Sequence, residues 1–294
     1  MQKSSKRITD NDNSWYFFLL PTIIGLLLFT AYPIMESFRL SFFKSNGTME
    51  EFVGVQNYIY VLNNDLFWTT VWNTFYITFF QLLLGIPIAY VIACIINQLR
   101  IFNNLLKSIF FIPYITPVVA SATVFMYVLH PDGILNGFIG LFGIEPINWL
   151  LYPNTAQWGT ILFSTWQHLG FYIIIILANL QAIPEELDKA AQVDGATKLK
   201  IWWYITTPLM KGTFRFLIIM GWINGLQRFA DVYVLGGPQG SPARALFTIV
   251  GFIYERGFGS FEFGVASAAA YVLFAIIAVF TAINFTITNL KKEQ

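Results

Sequence analysis

Cysteine, histidine and charge are all scarce in this chain, and each scarcity removes a class of function. One cysteine, Cys94, stands among 294 residues, so no disulfide can form within the chain. The two histidines, His130 and His168, lie far apart, and no Cys/His cluster has metal-ligand spacing. Cys94 is expected to be a small buried or lipid-facing residue, and each histidine to pack with a hydrogen bond. Neither a Walker A motif nor a nucleophile triad is present, so the chain is not expected to be a catalyst and binds no cofactor of its own. Charged residues make up 11% of the sequence, against roughly 25% in an ordinary soluble domain. That leaves too little polar surface to meet water over a chain of this length. The formal net charge of +1 offers nothing to hold nucleic acid.

What is abundant is apolar: 56% of residues are hydrophobic and 18% are aromatic. A spanning helix needs about 20 mostly apolar residues. Six runs qualify, at 15–38, 69–96, 107–130, 156–180, 213–235 and 263–288. They are long and lack period-2 alternation, so an all-α integral membrane chain is expected and strands are not. The first run follows Lys3, Lys6 and Arg7 but is too long for a secretory signal and has no small-x-small cleavage pattern. Turn chemistry separates the runs at Ser45-Asn46-Gly47, Pro131-Asp132-Gly133 and Gly236-Gly237-Pro238-Gln239-Gly240. Pro87 lies within the second run and Pro113 and Pro117 within the third, and each can kink its helix.

Basic residues orient the chain. With the N-terminus inside, the inner side holds twelve: Lys3, Lys6, Arg7, Arg100, Lys107, Lys189, Lys198, Lys200, Lys211, Arg215, Lys291 and Lys292. The outer side holds four: Arg39, Lys44, Arg244 and Arg256. This positive-inside bias places both termini in the cytoplasm of a multi-pass cell-membrane protein.

The inner loop between the fourth and fifth runs carries the densest pattern. Pro184 suits the first turn of a short helix, Glu185 and Glu186 suit its positive end, and Gly195 suits the positive φ that ends it. Thr197 can cap a second helix that includes Trp202, Trp203 and Ile205, and Pro208 marks a break before the fifth run. The result is a helix–turn–helix bracket, with Leu187, Ala190, Ala191 and Asp194 on one face of its first helix. Such a face suits either a groove in a partner protein or the lipid interface.

This segment resembles the EAA loop of ABC importer permeases, which runs E-A-A, three residues, G, nine residues, I-x-L-P. Ala190, Ala191, Gly195, Ile205 and Pro208 fall on matching positions, while Lys189 stands where the family usually has Glu and Thr207 where it has Leu. The likeness continues along the chain. Tyr32-Pro33 with Ser41-Phe42, the stretch Phe52-Val53-Gly54-Val55-Gln56-Asn57-Tyr58, Phe67-Trp68 with Asn73-Thr74, and Gly236-Gly237-Pro238 all resemble sugar-type permeases. Within that group the chain is similar to the maltose-type F permease: it keeps an extra first helix, has short outer loops and ends simply at Lys291-Lys292-Glu293-Gln294.

The resemblance implies a type I importer permease with tails at 1–14 and 289–294, a first helix at 15–38, a permease core at 69–288 and a coupling loop at 181–212. It further implies that the loop docks into a cleft of a cytoplasmic ATPase through Glu185, Leu187, Lys189, Ala190, Ala191, Asp194, Gly195, Ile205 and Pro208. The implied partners are a second permease subunit forming a heterodimer, two ATPase subunits that bind ATP and magnesium, and an extracytoplasmic solute-binding protein that delivers a sugar.

A sugar path needs hydroxyl-pairing groups and flat rings. The fifth run offers Asn224, Gln227, Arg228, Asp231 and Tyr233, and the fourth offers Trp166, Gln167, His168 and Tyr172, with Tyr114, Thr116 and Tyr127 of the third run as weaker candidates. Arg228 and Asp231 are three apart, so they can form a structural pair near the outer boundary or serve the pathway itself. Arg228 also motivates an alternative substrate, an acidic sugar such as sialic acid or a uronate, or glycerol phosphate. An ion-driven secondary transporter would need inverted repeats and mid-membrane carboxylates, and a membrane-embedded enzyme would need a convergent His/Asp/Glu or Ser/Lys set.

Overall fold

Long apolar stretches leave the backbone one way to satisfy its hydrogen bonds in lipid, and the chain takes it. A computed structural model describes residues 14–99 and 103–290. Lys3, Lys6, Arg7, Arg100, Lys291 and Lys292, used above for orientation, lie outside the described residues, as do positions 1–13 and 291–294 of the two tails. The chain begins with α1 (Ser14–Leu26), a π-turn at Leu27–Ala31 and α2 (Tyr32–Leu40). A hairpin of β1 (Phe43–Ser45) and β2 (Glu50–Phe52) follows, then α3 (Gln56–Leu62) and the long α4 (Asp65–Gln98). Next come α5 (Asn103–Ile115), α6 (Val118–Val128), α7 (Ile134–Gly140) and α8 (Pro153–Leu180). The bracket is α9 (Glu185–Val193), α10 (Lys198–Ile201), a π-turn at Trp202–Thr206 and α11 (Thr207–Leu209). The chain finishes with α12 (Lys211–Leu226), α13 (Ala230–Gly236), α14 (Ile249–Tyr254), a π-turn at Glu255–Gly259 and α15 (Phe263–Leu290).

Among the described residues, four helical stretches are long and apolar enough to cross a membrane, and the α5–α6 pair makes a fifth if it is one span. Two expected runs are not single helices. The third bends by 101° between α5 and α6, at Thr116-Pro117. Pro117 has no N–H to donate and pushes the residue before it out of the helical region, whereas Pro87 and Pro113 stay within their helices. The fifth run breaks at Gln227–Phe229, where Phe229 takes φ −146° and ψ −60°. A small antiparallel hairpin also appears where no strand was expected. It pairs Phe43 with Phe52 around a turn at Gly47, whose φ is +90°, and it lies between spans, where edge groups can meet water.

The core is built by close approach. A Cβ on Gly170 of α8 would lie 2.0 Å from the Phe110 carbonyl oxygen of α5. On α12, a Cβ at Gly221 would lie 2.3 Å from Leu82 and one at Gly225 would lie 2.2 Å from Thr78, so α12 presses on α4 through a G-x-x-x-G face. Two apolar clusters flank the middle of the bundle. Leu82, Ile86, Tyr90, Tyr172 and Leu217 lie on the bracket side, and Ile77, Phe163, Val232 and Leu246 lie on the other. The first span sits apart. No residue of its most apolar stretch is buried by the chain, and it is tied to α15 by Tyr271 Oη donating to Ile34 O at 2.6 Å and Ser37 Oγ donating to Ser267 Oγ at 3.3 Å.

Candidate functional site

The break in the fifth apolar run creates the site. Arg228 sits between α12 and α13, with its N–H donating to Gly225 O and its carbonyl accepting from Thr248 Oγ at 3.0 Å. Backbone freed by the break is therefore paired inside the protein, the condition for irregular structure at membrane depth. The guanidinium turns into the bundle. Arg228 Nη1 donates to Ser164 Oγ at 2.9 Å and lies 3.5 Å from Asp231 Oδ2. Nη2 donates to Gln81 Oε1. Ser164 Oγ donates on to Asp231 Oδ2 at 3.3 Å, and Gln81 Nε2 points to Tyr172 Oη at 3.5 Å. Arg228 and Asp231 are each 6% exposed. A buried charge is tolerated only when paired and hydrogen-bonded, and this network ties α4, α8 and the break between α12 and α13 together.

Gln81 lies at the middle of α4, so the pair sits level with the middle of that helix. There it borders a cavity of about 300 Å³ lined by Gln81, Tyr114, Thr116, Gln167, His168, Tyr172, Asn224, Arg228 and Asp231. On α12 the lining residues Gly221, Asn224 and Gly225 recur at i, i+3 and i+4, one helical stripe, and Arg228 follows just past the end of the helix. His168 turns its Nδ1 to Ser164 O at 2.9 Å, and its ring lies 6.0 Å from Tyr114 and 6.3 Å from Tyr172.

Three expected pathway residues point elsewhere. Gln227 is exposed outside the cavity. Tyr233 packs with Phe229 and Tyr254, and Trp166 packs on Phe125 and Phe163 and is 41% exposed. Tyr127 and His130 line a separate cleft of about 570 Å³ whose other walls include Met126, Trp149 and Leu150. The expectation for His130 also changes: its side chain is 61% exposed beside Asp132 instead of packed. Gln81 and Ser164 were not among the expected residues. Gln81 carried a signal, as the only amide between Asn73 and Asn97; Ser164 carried none.

At one end of the bundle the bracket has the expected local form. Gly195 has φ +79°, its N–H bonds Gln192 O, and Ala196 N–H bonds Ala191 O at 2.9 Å, a Schellman stop. Thr197 Oγ accepts from Lys200 N at 3.4 Å. Glu185, Leu187, Lys189, Ala190 and Asp194 are exposed, but Ala191 is turned in and buried at 9%, so the expected four-residue face is split. Lys189 Nζ reaches Glu185 Oε2 at 3.1 Å. Ile205 and Pro208 are half-buried. The bracket is pinned to α4 through Trp202, which stacks on Tyr90 at 5.3 Å and donates its Nε1 proton to Cys94 Sγ at 3.2 Å. Cys94 is thus half-buried under a ring. Thr207 shares a 2.8 Å hydrogen bond with Tyr90 Oη, which gives its hydroxyl a use that a leucine lacks.

Residues 85–290 match the family described as the binding-protein-dependent transport system inner membrane component. The chain belongs to that family. The match takes in the last part of α4, α8, the bracket and the broken run. The chain is 32% identical to the arabinooligosaccharides transport system permease protein AraP of Bacillus subtilis over 95% of its own length and 90% of that protein's. It is 30% identical to the lactose transport system permease protein LacF of Rhizobium radiobacter, over 99% of this chain and 98% of that one. Among solved structures, a bacterial ABC transporter involved in import of the acidic polysaccharide alginate superposes with a TM-score of 0.78 at 25% identity, covering 94% of this chain and 96% of that one. As a binding-protein-dependent inner membrane component, the chain is a multi-pass ABC-transporter permease and not a catalyst.

Proposed function

We propose that this permease forms one half of the membrane channel of an ATP-driven importer, and that a saccharide passes through this cavity. The observation that carries the reading is the cavity: the free amides of Gln167 and Asn224 beside the rings of Tyr114, His168 and Tyr172, on helices that are otherwise mostly apolar. Amides suit hydroxyls and rings suit the flat face of a sugar. Relatives named for arabinooligosaccharides and lactose support the class, and the second of them supports an F-type place within it. On this reading the chain has six spans, counting the two bent ones, with both termini cytoplasmic. The bracket is the coupling loop. It docks on one of two ATPase subunits, which hold ATP and magnesium, beside a second permease, while a binding protein delivers substrate from outside. Uptake in vesicles holding the assembled transporter tests this. Gly195→Asp should abolish ATP-dependent uptake of a labelled oligosaccharide and release the ATPase, and uptake persisting without ATP would overturn the reading.

An acidic saccharide is the better supported of two substrate classes. Arg228 borders the cavity, and the alginate importer of similar fold carries an acidic polysaccharide. A mannuronate trisaccharide should then be taken up faster than a neutral arabinose trisaccharide. The reverse order would return the reading to a neutral sugar.

A further inference from the structure

Gln81, Ser164, Arg228 and Asp231 are hydrogen-bonded or paired with one another, but Gln167 does not join them. It is 6% exposed, lines the same cavity, and among the described residues its carboxamide makes no hydrogen bond. A side-chain amide has two donor hydrogens and a two-lone-pair acceptor. Neither end of this amide is sealed off from solvent, so both stay open to a partner from outside the protein. Gln167 follows Ser164 by three positions on α8, so both face the same side of that helix. Asn224, the other free amide of the cavity, is exposed and has water to fall back on. Gln167 is held by the packing around its buried stem, so its amide is the more fixed of the two.

We propose that Gln167 is the specificity-determining residue of the cavity, reading neighbouring hydroxyls of one sugar unit through the N–H and C=O ends of its amide. Arg228 and Asp231 hold the three helices that shape the cavity, and the Tyr114–His168–Tyr172 rings give the sugar a wall. This rests on the saccharide reading above. The chemical ground is that a site built to hydrogen-bond a hydroxyl rejects the analogue lacking it far better than an apolar pocket can reject an added group.

The test uses the complete transporter in proteoliposomes, with a mannuronate trisaccharide, its monodeoxy analogues and a neutral arabinose trisaccharide as probes. In the wild type, at least one monodeoxy analogue should be taken up about tenfold less efficiently than its parent. Gln167→Met keeps length and volume but removes the amide. It should raise KM for the parent about tenfold and bring that analogue level with it. A purely packing role predicts unchanged KM and unchanged discrimination, and that result overturns the proposal. Gln167→Glu supplies a second measurement if the Met variant does not assemble. Its carboxylate should cut uptake of the acidic probe more than that of the neutral one, and equal loss overturns the proposal. Wild-type transporter that takes up none of these saccharides would overturn the saccharide reading itself, and this inference with it.

Discussion

The cavity and the bracket answer to opposite rules. Around Arg228, charge is buried, paired and shared among three helices, and glycines let those helices approach until little more than a hydrogen atom would fit between them. In the bracket, Glu185, Lys189 and Asp194 are exposed, and a Cβ added at Gly195 meets nothing within 4 Å. Changes at the first should be felt as stability of this chain. Changes at the second should pass almost unnoticed by the isolated chain and show only when a partner is present. The comparison teaches where substitutions report on folding and where they report on assembly.

The largest effect is expected from splitting the buried pair. Arg228→Met leaves Asp231 without its cation in a position 6% exposed, and should destabilise by about 3–5 kcal/mol. Arg228→Met with Asp231→Leu removes both charges and should recover much of that loss, since an apolar replacement of a buried pair is often close to neutral. Thermal unfolding in detergent distinguishes the two, and a double variant no better than the single one would mean that the charges themselves, not their pairing, sustain the fold.

Close approach comes next. Gly170→Ala sets a Cβ 2.0 Å from the Phe110 carbonyl, a backbone atom that cannot rotate away, and should cost about 1–3 kcal/mol. Gly225→Ala meets Thr78, so Thr78→Ala beside it should restore part of the loss, whereas no single side-chain trimming should rescue Gly170→Ala. A similar rescue at both sites would break the distinction between side-chain and backbone contact.

On the bracket side, Gly195→Asp should cost the isolated chain only about 1 kcal/mol, because the strain is in φ and the space is open. Co-purification with the ATPase should nonetheless fail. Gly195→Asn, which tolerates the left-handed region better than most residues, should retain part of it. If both variants unfold the chain like Gly170→Ala, the bracket belongs to the core and the contrast drawn here is wrong.

Much of this was legible from residue pattern, for physical reasons that also mark where it stopped. The bracket depends on local chemistry: a proline, first-turn acids, a positive-φ glycine and a threonine cap act within a few residues of themselves. The bend at Pro117 is local in the same way. The break at Gln227–Phe229 contains no proline; it is held by Thr248 from a distant loop and by side chains of α4 and α8. Asn224 and Arg228 stood out as polar groups in an apolar run. Trp166 and Tyr233 were misjudged because polarity says nothing about helix rotation: one position from Trp166, Gln167 faces the cavity while Trp166 packs against Phe125. Ser164 was invisible because a serine in a span has many bland uses, and only the fold puts Arg228 beside it.

The smallest effect tests the comparison most finely. Lys189 and Glu185 pair at 3.1 Å across one helical turn, with side chains 69% and 83% exposed. An exposed pair of this kind contributes about 0.3–0.5 kcal/mol at most and is screened by salt. Lys189→Ala should therefore leave the unfolding temperature of the isolated chain unchanged within error. Lys189→Glu sets two carboxylates at i and i+4 and should lower it only slightly. Any larger consequence has to come from outside the chain. If the ATPase reads the charge of this face, Lys189→Glu should shift its affinity by more than Lys189→Ala does, and the difference should shrink as salt is raised, since complementary rim charges act through a screened field. Equal, salt-independent effects of the two variants would mean that the partner recognises the shape of the bracket around Leu187, Ala190 and Gly195, and that the acids and Lys189 serve only the helix they stand on.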